Sequence, residues 1–189
     1  NLVYPHIGFD EMHFIDYFDQ TKILREYITD QELYDKIIKR YENRKNNEKL
    51  FFMGITMQNH GGYTETYDNF PENYYKVGRS YTDANQYLSL VHESDEAVKN
   101  LISYFSKVDD PVEIIFFGDH QPSLNSNFYP ILNGKGLTGL TEDELEKLYT
   151  VPFFIWTNYD TPEETVDITS LDYLSTMALE RAGIELPAY

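Results

Sequence analysis

The chain has 189 residues, 41% of them hydrophobic and 16% aromatic, enough apolar material for one domain with a sizeable core. Its 32 acidic and 15 basic residues leave a net charge of −17, a field that repels nucleic acid and anionic lipid headgroups and so excludes nucleic acid as a partner. There is no cysteine, which excludes disulfides and thiolate catalysis, and no run of 18 apolar residues of the kind that makes a membrane-spanning helix.

In chain order, residues 1–28 are irregular and aromatic. Thr29-Asp30-Gln31-Glu32 is a capping box, and Leu33, Ile37, Ile38 and Tyr41 follow at helical spacing, predicting a helix to about Asn46. Leu50–Met57 is an apolar run that reads as a buried strand. Residues 58–77 form a loop rich in Gly, Asn, Tyr and Thr. A long helix is expected from Ser80 to Lys107, with a buried stripe of Ala84, Tyr87, Leu88, Val91, Val98, Leu101, Ile102 and Phe105; His92 and Glu93 lie off it. Glu113–Phe117 is a second strand. Residues 121–140 are irregular. Thr141-Glu142-Asp143-Glu144 is another capping box, starting a short acidic helix whose carboxylates complement the helix dipole. Val151–Trp156 is a third strand, and a last helix covers Ser170–Arg181 and stops at Gly183. Strands alternating with helices predict an α/β layered fold with parallel strands.

The chemistry gathers where two of these strands end. Ile114–Phe117 stops at Gly118 and is followed at once by Asp119 and His120. A carboxylate oxygen beside an imidazole nitrogen suits a divalent metal such as zinc or manganese, and sheets of this kind collect ligands at the carboxyl ends of strands. The same residues also fit a surface turn with two polar side chains. Leu50–Met57 likewise ends in Gln58-Asn59-His60 before Gly61-Gly62. His60 alone also fits an ordinary turn histidine, but two strands each delivering a histidine point to one shared crevice, with His60 near Asp119 and His120.

Taken together, Thr56-Met57-Gln58-Asn59-His60-Gly61-Gly62-Tyr63, Gly118-Asp119-His120-Gln121-Pro122 and Val151-Pro152-Phe153-Phe154-Ile155-Trp156 resemble the lipoteichoic-acid-synthase-like sulfatases, phosphoglycerol transferases of the alkaline phosphatase superfamily. The opening Val3–Asp10 and the closing Ala182–Pro187 are similar to this family as well. The resemblance implies an alkaline-phosphatase-like α/β sheet sandwiched by helices, of which residues 1–189 would be the C-terminal portion of a single catalytic domain. It also implies transfer of glycerol phosphate from phosphatidylglycerol to a glycan or polymer acceptor, through a threonine nucleophile and one divalent cation, with manganese the expected ion. Residue by residue, Asp119 and His120 match metal ligands, His60 matches the catalytic histidine at the substrate phosphate or acceptor hydroxyl, and Asn59 sits beside it as a substrate-binding residue. The nucleophile, a further acidic ligand and the membrane helices are expected upstream of Asn1, which would place the protein on the extracellular face of a bacterial membrane. Gln121-Pro122 departs from the Tyr-Gly that follows Asp-His in well-known lipoteichoic acid synthases. A sulfatase or phosphoethanolamine transferase of the same superfamily, and a sulfatase-like binding domain without catalysis, are the competing readings.

Overall fold

The structure, a computed structural model, describes residues 3–70 and 81–186. Residues 71–77 of the expected loop, the Ser80 start of the long helix and Pro187 of the closing motif lie outside the described residues. The chain divides into two compact units, each described by itself: Asn1–Ile102 with Pro122–Thr138, and Ser103–Gln121 with Gly139–Tyr189.

In the first unit, a short helix α1 (Val3–His6) precedes a two-stranded antiparallel hairpin of β1 (Ile23–Leu24) and β2 (Tyr27–Ile28), paired Ile23 to Ile28 and Leu24 to Tyr27. Helix α2 (Asp30–Glu42) starts at Thr29, whose side chain accepts from the Glu32 amide at 3.2 Å. The reciprocal half of the expected capping box is replaced. The buried Glu32 carboxylate instead accepts from the Asp19 amide at 2.9 Å and pairs with Lys36 at 3.3 Å, which ties Asp19, just after a 3₁₀ turn at Ile15–Tyr17, to the helix. The helix ends sooner than its apolar spacing suggests, because Asn43 leaves helical geometry and donates its side-chain amide to Lys39 O at 2.7 Å.

Leu50–Met57 is extended but joins no ladder among the described residues, so the expected buried strand is corrected here. With no strand hydrogen-bonded beside it, Phe51, Met53 and Ile55 are 77%, 54% and 58% exposed. It packs on α2, where a Cβ on Gly54 would come within 3.0 Å of Leu33 Cδ2, and Phe51 lies against Phe9 with ring centroids 5.8 Å apart.

Helix α3 (Thr82–Phe105) is the longest element, and its inward face differs from the apolar stripe. Ala84, Val98, Leu101 and Phe105 are buried as their spacing predicts, and Tyr87, Leu88 and Ile102 are half-buried. Val91 is exposed. Asp83, Gln86, Ser89, Leu90, Ser94 and Ala97 are buried in addition. The polar ones can be buried because the residues facing them supply hydrogen bonds: Gln86 Nε2 donates to Glu65 O at 2.7 Å, and Ser94 bonds Asp30, Gln58 and Asn59. Leu90 forms the core with Tyr63 and Phe70, against which Leu24, Tyr67, Tyr87 and Leu124 pack. Segment 121–140, expected to be irregular, contains a one-turn helix α4 (Tyr129–Asn133) in this unit.

The second unit is built on an antiparallel pair, β3 (Glu113–Phe117) with β4 (Phe153–Thr157), in the register Glu113 to Thr157 through Phe117 to Phe153. Parallel pairing was the expectation from strand–helix alternation; the chain returns instead to run β4 against β3, and the Gly118 amide extends the ladder by donating to Pro152 O at 3.1 Å. Phe116 and Phe154 stack across the pair with ring centroids 5.3 Å apart. Asn158 closes the far end: its Oδ1 accepts from the Val112 amide at 2.7 Å, and its Nδ2 donates to Asp110 O at 2.8 Å. Helix α5 (Glu142–Lys147) carries the full capping box of Thr141 and Glu144. Helix α6 (Leu174–Arg181), entered through a 3₁₀ turn at Leu171–Tyr173, stops where Gly183 takes φ +70° and Ile184 N–H returns to Leu179 O at 2.9 Å.

Leu90 is fully buried between Tyr63 and Phe70, so Leu90→Ala is expected to destabilise the fold by about 2–5 kcal/mol, the usual cost of a core leucine cavity. Urea unfolding measures this; a change below about 1 kcal/mol would show that the three residues do not act as the core.

Candidate active site

The loop that carries Asn59 and His60 is fixed from below by groups on three elements. Arg25 occupies the tight turn between β1 and β2 with φ 54°, left-handed geometry that a residue with a Cβ adopts at a cost. That turn sends its guanidinium inward. Nη2 donates to Gln58 O at 2.9 Å and to His60 O at 2.7 Å, while Nη1 donates to Gln86 Oε1 at 3.2 Å. The rings of Tyr27, Tyr63 and Tyr67 surround the same cation, with centroids 5.5, 5.4 and 5.9 Å away. Arg25 is 5% exposed, so these contacts act in a medium that screens them weakly. The Asn69 amide donates to Ile23 O and Arg25 O, bracing the turn.

Beneath the loop lies a buried polar cluster. Ser94 Oγ donates to Asp30 Oδ2 at 2.5 Å and accepts from Asn59 Nδ2 at 2.9 Å and Gln58 Nε2 at 3.2 Å, which uses the whole capacity of one hydroxyl. Gln58 Oε1 accepts from the Asp30 amide at 3.1 Å. Asn59 is therefore turned toward α3 and spends its side-chain donor on Ser94; its buried Oδ1 has no hydrogen-bond partner among the described residues. Tyr63 Oη donates to Asn59 O at 2.6 Å, and burial pushes that phenol up to about 12, so it stays a donor. His60 itself is exposed, its amide bonded to Met57 O and its Nδ1 3.1 Å from Tyr27 Oη.

Asp119 and His120 stand at the carboxyl end of β3 in the second unit, with side chains 86% and 73% exposed. Gly118 permits a close approach at this corner: a Cβ there would sit 3.1 Å from Val151 Cβ, tighter than an ordinary contact, where the strand entering β4 passes. Gln121 Nε2 bonds Thr150 O and closes the corner. The His120 amide donates to Asp119 Oδ1 at 2.8 Å. His120 Nδ1 lies 2.9 Å from Gln121 O, which makes Nδ1 the protonated nitrogen and leaves the Nε2 lone pair free. That lone pair is 3.7 Å from Asp119 Oδ2. Two ligands held about 2.1 Å from one tetrahedral ion stand about 3.4 Å apart, so the pair fits a shared divalent cation in donor type and in spacing. Among the described residues no group of three or more His, Cys, Asp or Glu forms such a cluster, so this chain offers two ligands and not a closed set.

The expected catalytic and metal residues therefore fall into two sets. The structure brings Asp119 together with His120, and Asn59 together with His60, in separate compact units. The supporting residues Arg25, Tyr27, Asp30 and Ser94 were not singled out from sequence. The available signal was an arginine in an aromatic segment followed two residues later by a tyrosine.

Burial pushes the Asp30 carboxyl up to about 6 from 3.8, opposed by hydrogen bonds from Ser94 and the Gln58 backbone. The folded state then holds this proton more tightly than the unfolded chain does. The resulting stability is fully present below pH 3.8 and is lost as pH rises through about 6, a change of about 3 kcal/mol. Asp30→Asn keeps the neutral shape at every pH. Relative to the wild type it is expected to gain stability steadily from pH 4 to pH 7 in urea unfolding; a difference that does not vary with pH would contradict the burial of an ionisable Asp30.

The Sulfatase family matches residues 1–184. A putative cyclic beta-1,2-glucan modification protein of Rhizobium meliloti (strain 1021) is 27% identical over 99% of this chain and 30% of its own length. The capsular polysaccharide biosynthesis protein RkpI of the same organism is 33% identical over 65% of this chain and 21% of its own length. The chain thus spans less than a third of either curated relative. Among solved structures, the Streptococcus pyogenes phosphoglycerol transferase GacH in complex with sn-glycerol-1-phosphate superposes with a TM-score of 0.70 at 19% identity, over 97% of this chain and 46% of that one. The match across residues 1–184 and the shared alkaline-phosphatase-like α/β fold place this chain in the sulfatase family.

Proposed function

We propose that the protein carrying this chain is a metal-dependent phosphoglycerol transferase. It would move glycerol phosphate from phosphatidylglycerol to a glycan or polymer acceptor of the cell envelope, on the outer face of a bacterial membrane to which upstream helices tether it. Residues 1–189 would form the C-terminal part of one sulfatase-like catalytic domain. The observation that carries this reading is the Asp119–His120 pair, with an imidazole aligned by Gln121 O and two free donor atoms 3.7 Å apart. Family membership and the fold shared with a phosphoglycerol transferase support it, and the glucan and capsular polysaccharide relatives support a carbohydrate acceptor.

In this reading Asp119 and His120 hold a divalent cation, with manganese expected. When bound, the ion supplies Lewis-acid screening of the phosphate charge and lowers the pKa of a coordinated hydroxyl. His60 donates a hydrogen bond to a phosphate oxygen, or gives a proton to the departing oxygen and takes one from the incoming hydroxyl, and the exposed side chain on a clamped backbone suits that work. Asn59 acts through its place in the loop beside His60; its amide is committed to Ser94. With a net charge of −17 the chain repels anionic lipid, so a tether and a metal are what bring phosphatidylglycerol within reach.

Release of diacylglycerol from labelled phosphatidylglycerol by the whole protein tests the proposal. His60→Ala is expected to lower turnover roughly a hundredfold with the fold intact. Asp119→Asn is expected to weaken manganese binding, so that the rate falls and more manganese is needed to restore it. Near-normal release by His60→Ala, or release that persists after complete chelation of divalent metal, would refute it. Preferential hydrolysis of sulfate esters would favour the sulfatase alternative.

A further inference from the structure

We infer that Tyr27 is a positioning residue for His60: its hydroxyl donates to His60 Nδ1 and so fixes the imidazole as the tautomer that carries its proton on Nε2. The inference rests on the proposed role of His60 at a phosphate and assigns how that role is set. A neutral imidazole has one donor and one acceptor nitrogen, and the partner of one nitrogen decides the state of the other. Here Tyr27 Oη lies 3.1 Å from Nδ1, and the two rings are tilted at 51° with centroids 5.6 Å apart, so the hydroxyl meets the nitrogen at hydrogen-bond distance. A phenol is a good donor and a poor acceptor, so Nδ1 takes the lone-pair role. Nε2 then presents an N–H, which suits an anionic oxygen and has no use for a cation. His60 and His120 come out complementary: His120 has Nδ1 on a carbonyl and its lone pair at Nε2, whereas His60 has Nδ1 on a hydroxyl and its proton at Nε2. One histidine is set to face a metal and the other a phosphate.

The hydrogen bond is held in place by the hairpin that carries it. Leu24 pairs with Tyr27 across the turn, and between them Arg25 bonds the carbonyls of Gln58 and His60 while lying against the Tyr27 ring. The backbone that carries His60 and the ring that orients it are thus fixed by neighbouring residues of one turn. Rotation of the imidazole would break the Tyr27 contact, and displacement of the loop would break the Arg25 contacts.

The test uses the ¹⁵N-histidine-labelled protein at neutral pH, with His60→Gln identifying the His60 signals by their disappearance. In the wild type, His60 is expected to show an unprotonated Nδ1 and a protonated Nε2. Tyr27→Phe, which removes only the hydroxyl, is expected to shift these signals toward the exchanging average of the two tautomers while the His120 signals stay in place. In the transfer assay Tyr27→Phe should lower kcat about tenfold with KM little changed. Unaltered His60 nitrogen shifts in Tyr27→Phe, or a wild-type His60 protonated on Nδ1, would overturn the inference. The spectra decide this without reference to turnover, whereas an inactive wild type would overturn the proposed function and leave the tautomer result standing.

Discussion

Arg25 is nearly inaccessible to water, and its guanidinium joins the hairpin, the Gln58–His60 loop and α3. A buried cation is costly unless its donors are used, and here they go to two backbone carbonyls and a glutamine oxygen, with three tyrosine faces around the charge. Those carbonyls belong to the residues that precede and include His60. The same contacts therefore act on two problems at once: they give the buried charge partners at Nη1 and Nη2, though Nε has no hydrogen-bond partner among the described residues, and they hold an otherwise irregular glycine-flanked loop in one conformation. The left-handed backbone at Arg25 and the buried Gln86 of α3 belong to this arrangement. Gln86, fully buried, accepts from Arg25 and donates to Glu65 O.

The Asp119–His120 corner uses a different device. No buried charge holds it; a strand end does. The β3–β4 ladder runs to Gly118, where the absence of a side chain lets Val151 pass, and the next two residues emerge exposed with their backbone already fixed. An exposed carboxylate and imidazole remain well solvated and available to a cation, and the Gln121 carbonyl selects which ring nitrogen is offered. Where the histidine loop is shaped by side chains from distant parts of the chain, this corner is shaped by residues within and beside one antiparallel strand pair.

That contrast explains which features were legible in the sequence. The Asp119-His120 pair at a strand end could be read directly, because an apolar run, a glycine and two ligand-type residues are contiguous. The helices at Asp30–Glu42, Thr82–Phe105 and Glu142–Lys147 were legible from caps and periodicity. The inward face of α3 was not, since Gln86 and Ser94 are buried by hydrogen bonds to residues far away in sequence, and hydropathy assigns such residues to the surface. Pairing direction was hidden for a similar reason: the apolar pattern of Phe153–Thr157 suits a strand of either sense, and the antiparallel register is set by which backbone groups meet. Tyr27 and Arg25 lie in a segment without periodicity, and the local signal of an arginine two residues before a tyrosine does not point to His60, which is more than 30 residues away.

The most direct test of the account is the crystal structure of the whole protein with manganese and a glycerol phosphate, with the ion located by its anomalous scattering. The account predicts an ion bonded to Asp119 Oδ2 and His120 Nε2, and a phosphate oxygen within hydrogen-bond distance of His60 Nε2. An ion bound away from both Asp119 and His120, or a phosphate that His60 does not touch, would contradict it.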